Sequence, residues 1–352
     1  MKIAVGMSGG VDSSVAAFLL KHEGHDVCGV TMRIRPEKSG NSSALGHDRH
    51  SGDGEETKKT GEVCHMLGIE HHVFDLSNEY EDIVLGYFRD EYINGRTPNP
   101  CVVCNQKIKF GKLPLLAVER LGAAAFATGH YARLAPGEKN RIMLMKAKDE
   151  TKDQSYFLYR LSQKQLGAAL FPLGEMLKDD VKNIAREKGI PSWNEPESQD
   201  FCGGNHQELF RYKDEPGEII NIDGKVLGFH KGIWNYTIGQ RRGLGISSDK
   251  PLYVKAIEPS SRRVIVAYKQ DAIRDSFMTK SFNWVSAESF DGIKELTVKV
   301  RSSQKSLPCK AEVLDDKVRV NLFRPQGEIA PGQSAVFYNG DILVGGGIIE
   351  YE

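Results

Sequence analysis

The sequence predicts an α/β protein: an N-terminal doubly wound parallel sheet followed by two small mainly-β domains, the last a β-barrel. Three observations predict it. Short apolar runs alternate with helix-compatible stretches from residue 1 to about 132. A glycine-rich turn joins the first of those runs to the first helix. Beyond about residue 207 the helical patterns fade, and short β-like runs separated by Gly, Pro and Asp replace them.

The first stretch, Met1 to Gly24, carries the most chemistry. Ile3-Ala4-Val5 reads as a buried strand, and Ser13 to Lys21 reads as a helix with apolar positions at Val15, Ala16, Phe18 and Leu19. Gly24 stands where a helix C-terminus places glycine. Between strand and helix lies Ser8-Gly9-Gly10-Val11-Asp12-Ser13. In such a turn the glycines let backbone N–H groups point into one hollow, and the helix N-terminus adds partial positive charge. Ser8 and Ser13 add hydroxyl donors, and Asp12 is placed to hold a metal ion. These are the parts of a phosphate site. No Gly-Lys-Ser/Thr follows and there is no G-x-G-x-x-G, so neither common nucleotide fingerprint applies.

Further along, Asp26–Ile34 reads as a second buried strand with Cys28 packed in its core. Met32 sits near its carboxyl end, where open α/β sheets bind ligands, although a core role fits Met32 equally. Residues 36–54 are Gly, Ser, Asp and His without apolar periodicity and read as a surface loop, His47-Asp48-Arg49-His50 being solvated. A helix is expected over Glu55–Leu67 with Cys64 packed, a strand over His71–Leu76 and an amphipathic helix over Glu79–Asn94. Pro98 and Pro100 then fix an extended approach to Cys101-x-x-Cys104. Gly111–Leu121 is helical, and Ala123–Thr128 is a strand running into Gly129-His130-Tyr131.

After Asp149 the texture changes to polar-then-aromatic, Lys152-Asp153-Gln154-Ser155-Tyr156, with helices expected near 162–168 and 178–188. The β-like runs beyond 207 include Leu252–Ile257, Arg263–Ala267, Lys310–Leu314 and Lys317–Leu322. Domain boundaries are expected at 1–206, 207–275 and 276–352.

Composition narrows the class. A chain of 352 residues with 40% hydrophobic and 27% charged residues has the make-up of a soluble two- or three-domain protein. No apolar run approaches a membrane span, and Met1-Lys2-Ile3 leads straight into a strand without a signal peptide; a cytoplasmic location is expected. Forty-seven acids balance forty-seven bases, so nucleic-acid binding must rest on local patches. Candidates are Lys107, Lys109 and Lys112, and Arg241-Arg242 with Arg262-Arg263. Six unevenly spaced cysteines do not form a secreted disulfide framework; reactive or metal-binding thiols in a reducing compartment fit better. Cys101-x-x-Cys104 alone fits a redox pair, half a zinc site or a pair of cluster ligands. Cys309 falls in a barrel strand and reads as inert core.

Ser-Gly-Gly-Val-Asp-Ser resembles the PP-loop of the ATP pyrophosphatases, an adenine nucleotide alpha hydrolase-like fold that cleaves ATP between the α and β phosphates. The resemblance sharpens over the whole chain. Ser8–Ser13, Thr97-Pro98-Asn99-Pro100, Cys104-Asn105, Thr128-Gly129-His130-Tyr131, Lys152–Tyr156, Cys202 and Tyr236-Thr237-Ile238-Gly239-Gln240-Arg241-Arg242-Gly243 occur in one order. As an ordered set they are similar to the bacterial and mitochondrial tRNA-specific 2-thiouridylases.

That resemblance implies a reaction and its residues. ATP, with Mg²⁺ offsetting its charge, would be held by Gly6, Met7, Ser8, Gly9, Gly10, Val11, Asp12 and Ser13, with Met32 and Gly129 near the adenosine. The C2 oxygen of the wobble uridine of tRNAs for Lys, Glu and Gln would be adenylated, releasing pyrophosphate. Sulfur would arrive as a persulfide on Cys202, with Cys104 the catalytic nucleophile, the pair ending as a disulfide. Asn99, Pro100 and Cys101 would lie against the target base; His130, Lys152, Asp153, Gln154, Arg301, Ser302 and Gln333 would contact the tRNA. The base must be turned out of the anticodon stack to reach such a site. The implied sulfur donor is a cysteine desulfurase, a sulfur carrier or sulfide.

Three departures from the family pattern stand out. Cys101 replaces an Asp that many relatives carry, Gly203 replaces a Phe, and Arg301-Ser302 replaces an Arg-Tyr pair. The first opens a second sulfur route, in which Cys101, Cys104 and Cys202 ligate three irons of a 4Fe-4S cluster and the fourth carries a hydrosulfide. Rival readings are another PP-loop enzyme such as a tRNA lysidine synthetase, a noncatalytic RNA-binding module, and a thiol–disulfide protein. The last two leave the Ser8–Ser13 loop unused.

Overall fold

The computed structural model describes residues 1–35, 52–194, 214–327 and 329–351, so the expected polar loop up to residue 51 and Cys202 lie outside the described residues. The chain divides into two compact units. The first draws on residues 1–84, 101–205 and 341–343, and the second on 85–100, 206–340 and 344–352.

The chain opens with β1 (Lys2–Gly6), α1 (Val11–His22), β2 (Asp26–Arg33), α2 (Gly52–Leu67) and β3 (Glu70–Asp75). Helices α3 (Ser77–Tyr80) and α4 (Gly86–Ile93) flank a π-helical turn at Glu81–Leu85, where the sequence pattern predicts one uninterrupted helix. Helix α5 (Pro100–Cys104) passes through a second π-helical segment, Asn105–Lys112, into α6 (Leu113–Leu121). Then come β4 (Ala125–Thr128), the hairpin β5 (Ala132–Pro136) and β6 (Ile142–Lys146), α7 (Gln163–Ala168), β7 (Ala169–Leu170) and α8 (Lys178–Glu187).

In the first unit the strands form one parallel sheet in the order β3-β2-β1-β4-β7. Chain order reverses on either side of β1, so the carboxyl ends of β1 and β4 meet at a topological switch point. Helix α1 is buried on two sides. Ala17 and Leu20 join Ile3, Val5, Val27 and Val63 in one core, while Val11, Val15 and Ala16 join Tyr131, Val181 and Ala185 in another. That double burial fixes the start of α1 against the sheet, which matters because the start carries the chemistry.

The second unit is mainly β. Strands β8 (Gly217–Asn221), β9 (Val226–His230), β10 (Leu252–Glu258) and β11 (Arg263–Tyr268) form a sheet in the order β10-β11-β8-β9 around Ile219, Val254, Val264 and Val266. Strands β12 (Arg274–Trp284), β13 (Leu296–Lys299), β14 (Leu307–Leu314), β15 (Lys317–Gln326), β16 (Ser334–Asn339) and β17 (Ile342–Glu350) complete the chain. Their order β12-β15-β14-β13-β16-β17 is closed by a β12–β17 ladder, giving a six-stranded barrel. Phe277, Val298, Val320 and Phe337 fill its interior, with Cys309 among them as expected.

Candidate nucleotide and thiol site

The glycine-rich turn forms an open helix N-terminus. Helix α1 begins at Val11, two residues before its expected start, and its N-cap is Gly10 in extended conformation with no side-chain cap. Gly9 has φ of 76°, a left-handed conformation that glycine adopts without strain. The first-turn N–H groups of Val11, Asp12 and Ser13 therefore have no intrahelical acceptor. Ser13 Oγ accepts from the Ser8 N–H at 3.2 Å and donates to the Gly10 carbonyl at 3.2 Å, while Ser14 Oγ donates to the same carbonyl at 2.9 Å. The hydroxyls thus hold the turn open in the shape of an anion cradle. Gly129, at the end of β4, closes one side. A Cβ there would sit 2.7 Å from the Asp12 carbonyl carbon and the Ser13 nitrogen, so only glycine permits that approach.

Asp12 is the charged residue of the turn, and it has partners that the sequence does not reveal. Lys178 Nζ lies 2.7 and 2.8 Å from its two carboxylate oxygens, and the Tyr131 hydroxyl donates to Oδ1 at 2.8 Å. Lys178 is 5% exposed. Asp12 suits Mg²⁺, which takes one or two carboxylates together with substrate phosphates and keeps several waters. In this structure that carboxylate already carries an ammonium. Met32 is half-buried near the end of β2, paired with Phe74 in the adjacent strand.

The two neighbouring thiols sit on a short helix that begins at the second proline. Pro100 opens α5 at the position where a missing N–H costs nothing, and Cys101 and Cys104 lie three residues apart on one turn. The extended preference reaches only as far as Asn99, the residue before that proline. Both thiols are partly buried. Burial pushes Cys104 up to about 11, Lys109 pulling the other way; burial raises Cys101 too, again opposed by Lys109. Two soft sulfur donors on one turn fit two ligands of an iron–sulfur centre. Among the described residues no third ligating side chain joins them, and Cys202 lies outside those residues.

Widening the helix at Asn105–Lys112 displaces carbonyls from their usual partners, and Gln165 takes two of them. Its Nε2 donates to Gln106 O at 2.8 Å and Phe110 O at 3.0 Å, while its Oε1 accepts from Ser162 N at 2.9 Å in a capping box. Asn105 Nδ2 donates to Phe157 O at 3.3 Å, tying the same segment to the polar-aromatic stretch. His130 packs between Phe110 and Phe171, with its Nδ1 2.7 Å from Thr128 Oγ1. Burial, with Lys109 adding to it, holds His130 well below the usual histidine range, so its ring is neutral at pH 7.

Several expected tRNA residues have internal tasks. The Asp153 carboxylate accepts from Ala147 N and Ser155 N, and Gln154 Oε1 accepts from Tyr131 N at 3.0 Å. Lys152 is half-buried beside them. In the second unit Asn99 is buried, its N–H donating to Tyr87 Oη at 3.2 Å and its Nδ2 reaching Ser334 Oγ at 3.5 Å. Gln333 Nε2 donates to Pro98 O at 2.7 Å and to Thr97 O at 3.3 Å. Arg301 Nη2 donates to Ile238 O at 3.1 Å, and Ser302 beside it is half-buried. Of the basic patches, Lys112 pairs with Glu79, Arg262 with Glu215 and Arg263 with Glu218, which offsets their charge. Arg241 lines a cleft of about 460 Å³ together with Leu244, Ile246, Asp249 and Lys250.

Comparison with known proteins covers the chain from end to end. The model of the tRNA methyl transferase HUP domain matches residues 1–203, that of the tRNA methyl transferase PRC-barrel domain residues 209–268, and that of the aminomethyltransferase beta-barrel domain residues 274–349. The tRNA-specific 2-thiouridylase MnmA 2 of Thermoanaerobacter sp. is 46% identical over 358 residues, covering 99% of this chain and 98% of its own. The corresponding protein of Endomicrobium trichonymphae is 43% identical over 363 residues, covering 99% of both chains. That of Gloeothece citriformis is 41% identical over 359 residues, also covering 99% of both.

Proposed function

The chain belongs to the family of the tRNA-specific 2-thiouridylases, and from that premise we propose how its own residues divide the work of making 2-thiouridine in tRNA. The observation that carries the reading is the uncapped start of α1 at the switch point of the sheet. ATP binds there, its pyrophosphate end on the first-turn N–H groups and the Ser8 and Ser13 hydroxyls, its adenosine toward Met32 and Gly129. Gly6, Met7, Gly9, Gly10, Val11 and Asp12 complete the loop, and Mg²⁺ at Asp12 offsets phosphate charge.

The first step exchanges leaving groups. The uridine O2 attacks the α-phosphorus, the bond to the β-phosphate breaks, and pyrophosphate departs. A carbonyl oxygen leaves poorly, whereas AMP leaves readily once sulfur adds to C2. The half-buried geometry of Cys101 and Cys104, with both thiols protonated, keeps them unreactive until the nucleotide and tRNA are in place.

Two routes deliver the sulfur. In the first, the terminal sulfur of a Cys202 persulfide attacks C2 and expels AMP. Cys104 thiolate then attacks Cys202 Sγ, breaking its bond to the transferred sulfur, forming a Cys104–Cys202 disulfide and releasing 2-thiouridine. In the second, Cys101, Cys104 and Cys202 would hold an iron–sulfur centre, which would supply sulfur at the hydrosulfide level; Cys101 in place of the more usual Asp favours this one. The residues toward the tRNA are Cys101, His130, Lys152, Asp153 and Gln154 of the first unit and Asn99, Pro100, Arg301, Ser302 and Gln333 of the second. Domain limits of 1–206, 207–275 and 276–352 go with this division of labour.

The deciding experiment incubates anaerobically purified protein with unmodified tRNA, ATP, Mg²⁺ and either sulfide or a persulfide donor, with and without iron reconstitution, and assays 2-thiouridine. Product only after reconstitution establishes the cluster. Product without iron from a persulfide donor establishes the Cys202 route. No product in either arm, with ATP still bound, removes the thiolation reading altogether.

A further inference from the structure

We propose that Lys178 is a pyrophosphate-binding residue held in reserve by Asp12: it pairs with Asp12 in the free protein and turns to the phosphates when Mg²⁺ takes the carboxylate. This inference rests on the ATP site proposed above.

Lys178 is the first residue of α8. A cation there works against the helix dipole, which favours the Asp179 and Asp180 next to it. The α8 backbone has its own acceptor at this end, Asp149 Oδ2, 2.9 Å from the Lys178 N–H. The ammonium is thus not needed to satisfy its own helix. It runs instead to the first turn of α1, passing over the Tyr131 ring with Nζ 5.6 Å from the centroid. Its burial is nearly complete, while Asp12, its partner, retains 30% side-chain exposure. The exposed member of the pair is therefore the one in the phosphate cradle.

A purely structural role explains this poorly. The surrounding core is Val11, Val15, Val181 and Ala185, where an apolar side chain of similar volume would pack α8 on α1 at least as well. A buried charge is costly unless something uses it. An Asp12 carboxylate left bare in the cradle would repel a polyphosphate, and Lys178 cancels that repulsion before the nucleotide arrives. Mg²⁺ arriving with the phosphates competes for the same oxygens. Tyr131 keeps its bond to Oδ1, so the carboxylate stays aimed while Lys178 is released toward the new negative charge.

The test is a double-mutant cycle read by binding alone. Dissociation constants for MgATP and for AMP are measured by calorimetry on the wild type, Asp12→Asn, Lys178→Met and the double variant. Asp12→Asn removes the carboxylate, so any preference for MgATP over AMP that Lys178 still confers comes from the phosphates and not from neutralising Asp12. The double variant is expected to bind MgATP at least about tenfold more weakly than Asp12→Asn, the size of one charged hydrogen bond, with AMP affinity equal in both. Equal MgATP affinity in those two variants overturns the proposal and leaves Lys178 as Asp12's neutraliser. Parallel loss of MgATP and AMP also overturns it, since that marks a collapsed loop. Lys178→Gln on the Asp12→Asn background serves where the Met variant does not fold: MgATP affinity at least about tenfold below that of Asp12→Asn, with AMP affinity equal, supports the proposal, and equal MgATP affinity overturns it. Wild type that binds AMP but not MgATP would instead remove the pyrophosphate site itself.

Discussion

Gln333 Nε2 donates to the carbonyl oxygen of Pro98 at 2.7 Å, although 235 residues separate them in sequence. The same amide reaches Thr97 O, and the Thr97 N–H donates to Pro331 O at 2.7 Å. Next to them Arg96 makes a bidentate pair with Glu91 at 2.7 and 2.8 Å. A strand of the barrel and its preceding turn thereby hold the Thr97–Pro100 segment in place. Gln333→Ala removes two donated bonds, roughly 1–3 kcal/mol of local restraint. Single-turnover thiolation is expected to slow about tenfold with MgATP affinity unchanged. An unchanged rate would mean that the segment is held by its other bonds alone.

Cys104→Ser separates activation from sulfur transfer. Serine preserves the size of the side chain on α5 but removes the soft nucleophile, so 2-thiouridine formation is expected to fall by about a thousandfold or more. tRNA-dependent pyrophosphate release should persist within about threefold of wild type. Radiolabelled pyrophosphate release measured beside thionucleoside analysis makes the comparison. Loss of both activities together would place Cys104 in the activation step.

The thiol acidity gives a pH signature for the apo chain. With Cys104 pushed up to about 11, the thiolate is about 0.1% of the total at pH 8, and rises about tenfold per pH unit until it nears that value. Alkylation of Cys104 should show the same slope. Lys109→Gln removes the charge that favours the thiolate and should slow labelling severalfold at any one pH. Cys309, pushed up to about 12 by burial in the barrel, should stay unlabelled while the protein is folded. Peptide mass spectrometry after iodoacetamide pulses reads all three. Rapid labelling of Cys104 at pH 7 would show that another group stabilises its thiolate.

The centre of the parallel sheet was legible because β1, β2 and β4 are short apolar runs and the first leads into Ser8-Gly9-Gly10, whereas the two-residue β7 gave no such signal. The family resemblance was legible because its motifs keep one order along the chain, and two of them, Ser8–Ser13 and Thr128–Tyr131, stand at the ends of β1 and β4. Other features were not. Gly345-Gly346-Gly347 argues locally against a strand, yet it lies in β17, where pairing with Lys280–Trp284 decides the matter. Asn99 before Pro100 signals extended chain, Cys101 to Cys104 after it suit a helix, and only the fold chooses between them. The π-helical turns leave no mark in residue type, although Gln165 supplies the bonds that sustain one of them. Lys178 reads like an ordinary solvated charge on an amphipathic helix. Its one local oddity is a cation at a helix N-terminus; its meeting with Asp12, 166 residues away, is a property of the tertiary structure.

His130 gives a stability signature with a definite sign. Its folded-state pKa is held well below 6.5 by burial and by Lys109, so the folded chain binds fewer protons than the unfolded chain in that range. Stability therefore rises with pH from the depressed folded value up to the unfolded one, is flat above about 6.5, and is lost progressively as pH falls below it. The slope is at most about 1.4 kcal/mol per pH unit for one such histidine. His71 and His230, both lowered mainly by burial, act in the same direction. His130→Asn keeps an acceptor near Thr128 Oγ1 but cannot be protonated. Its urea midpoint, measured at several pH values between 5 and 8, should fall less steeply below 6.5 than that of wild type, the two curves running parallel above 6.5. Identical slopes in both proteins would assign the acid lability to the other two histidines and return His130 to an ordinary pKa.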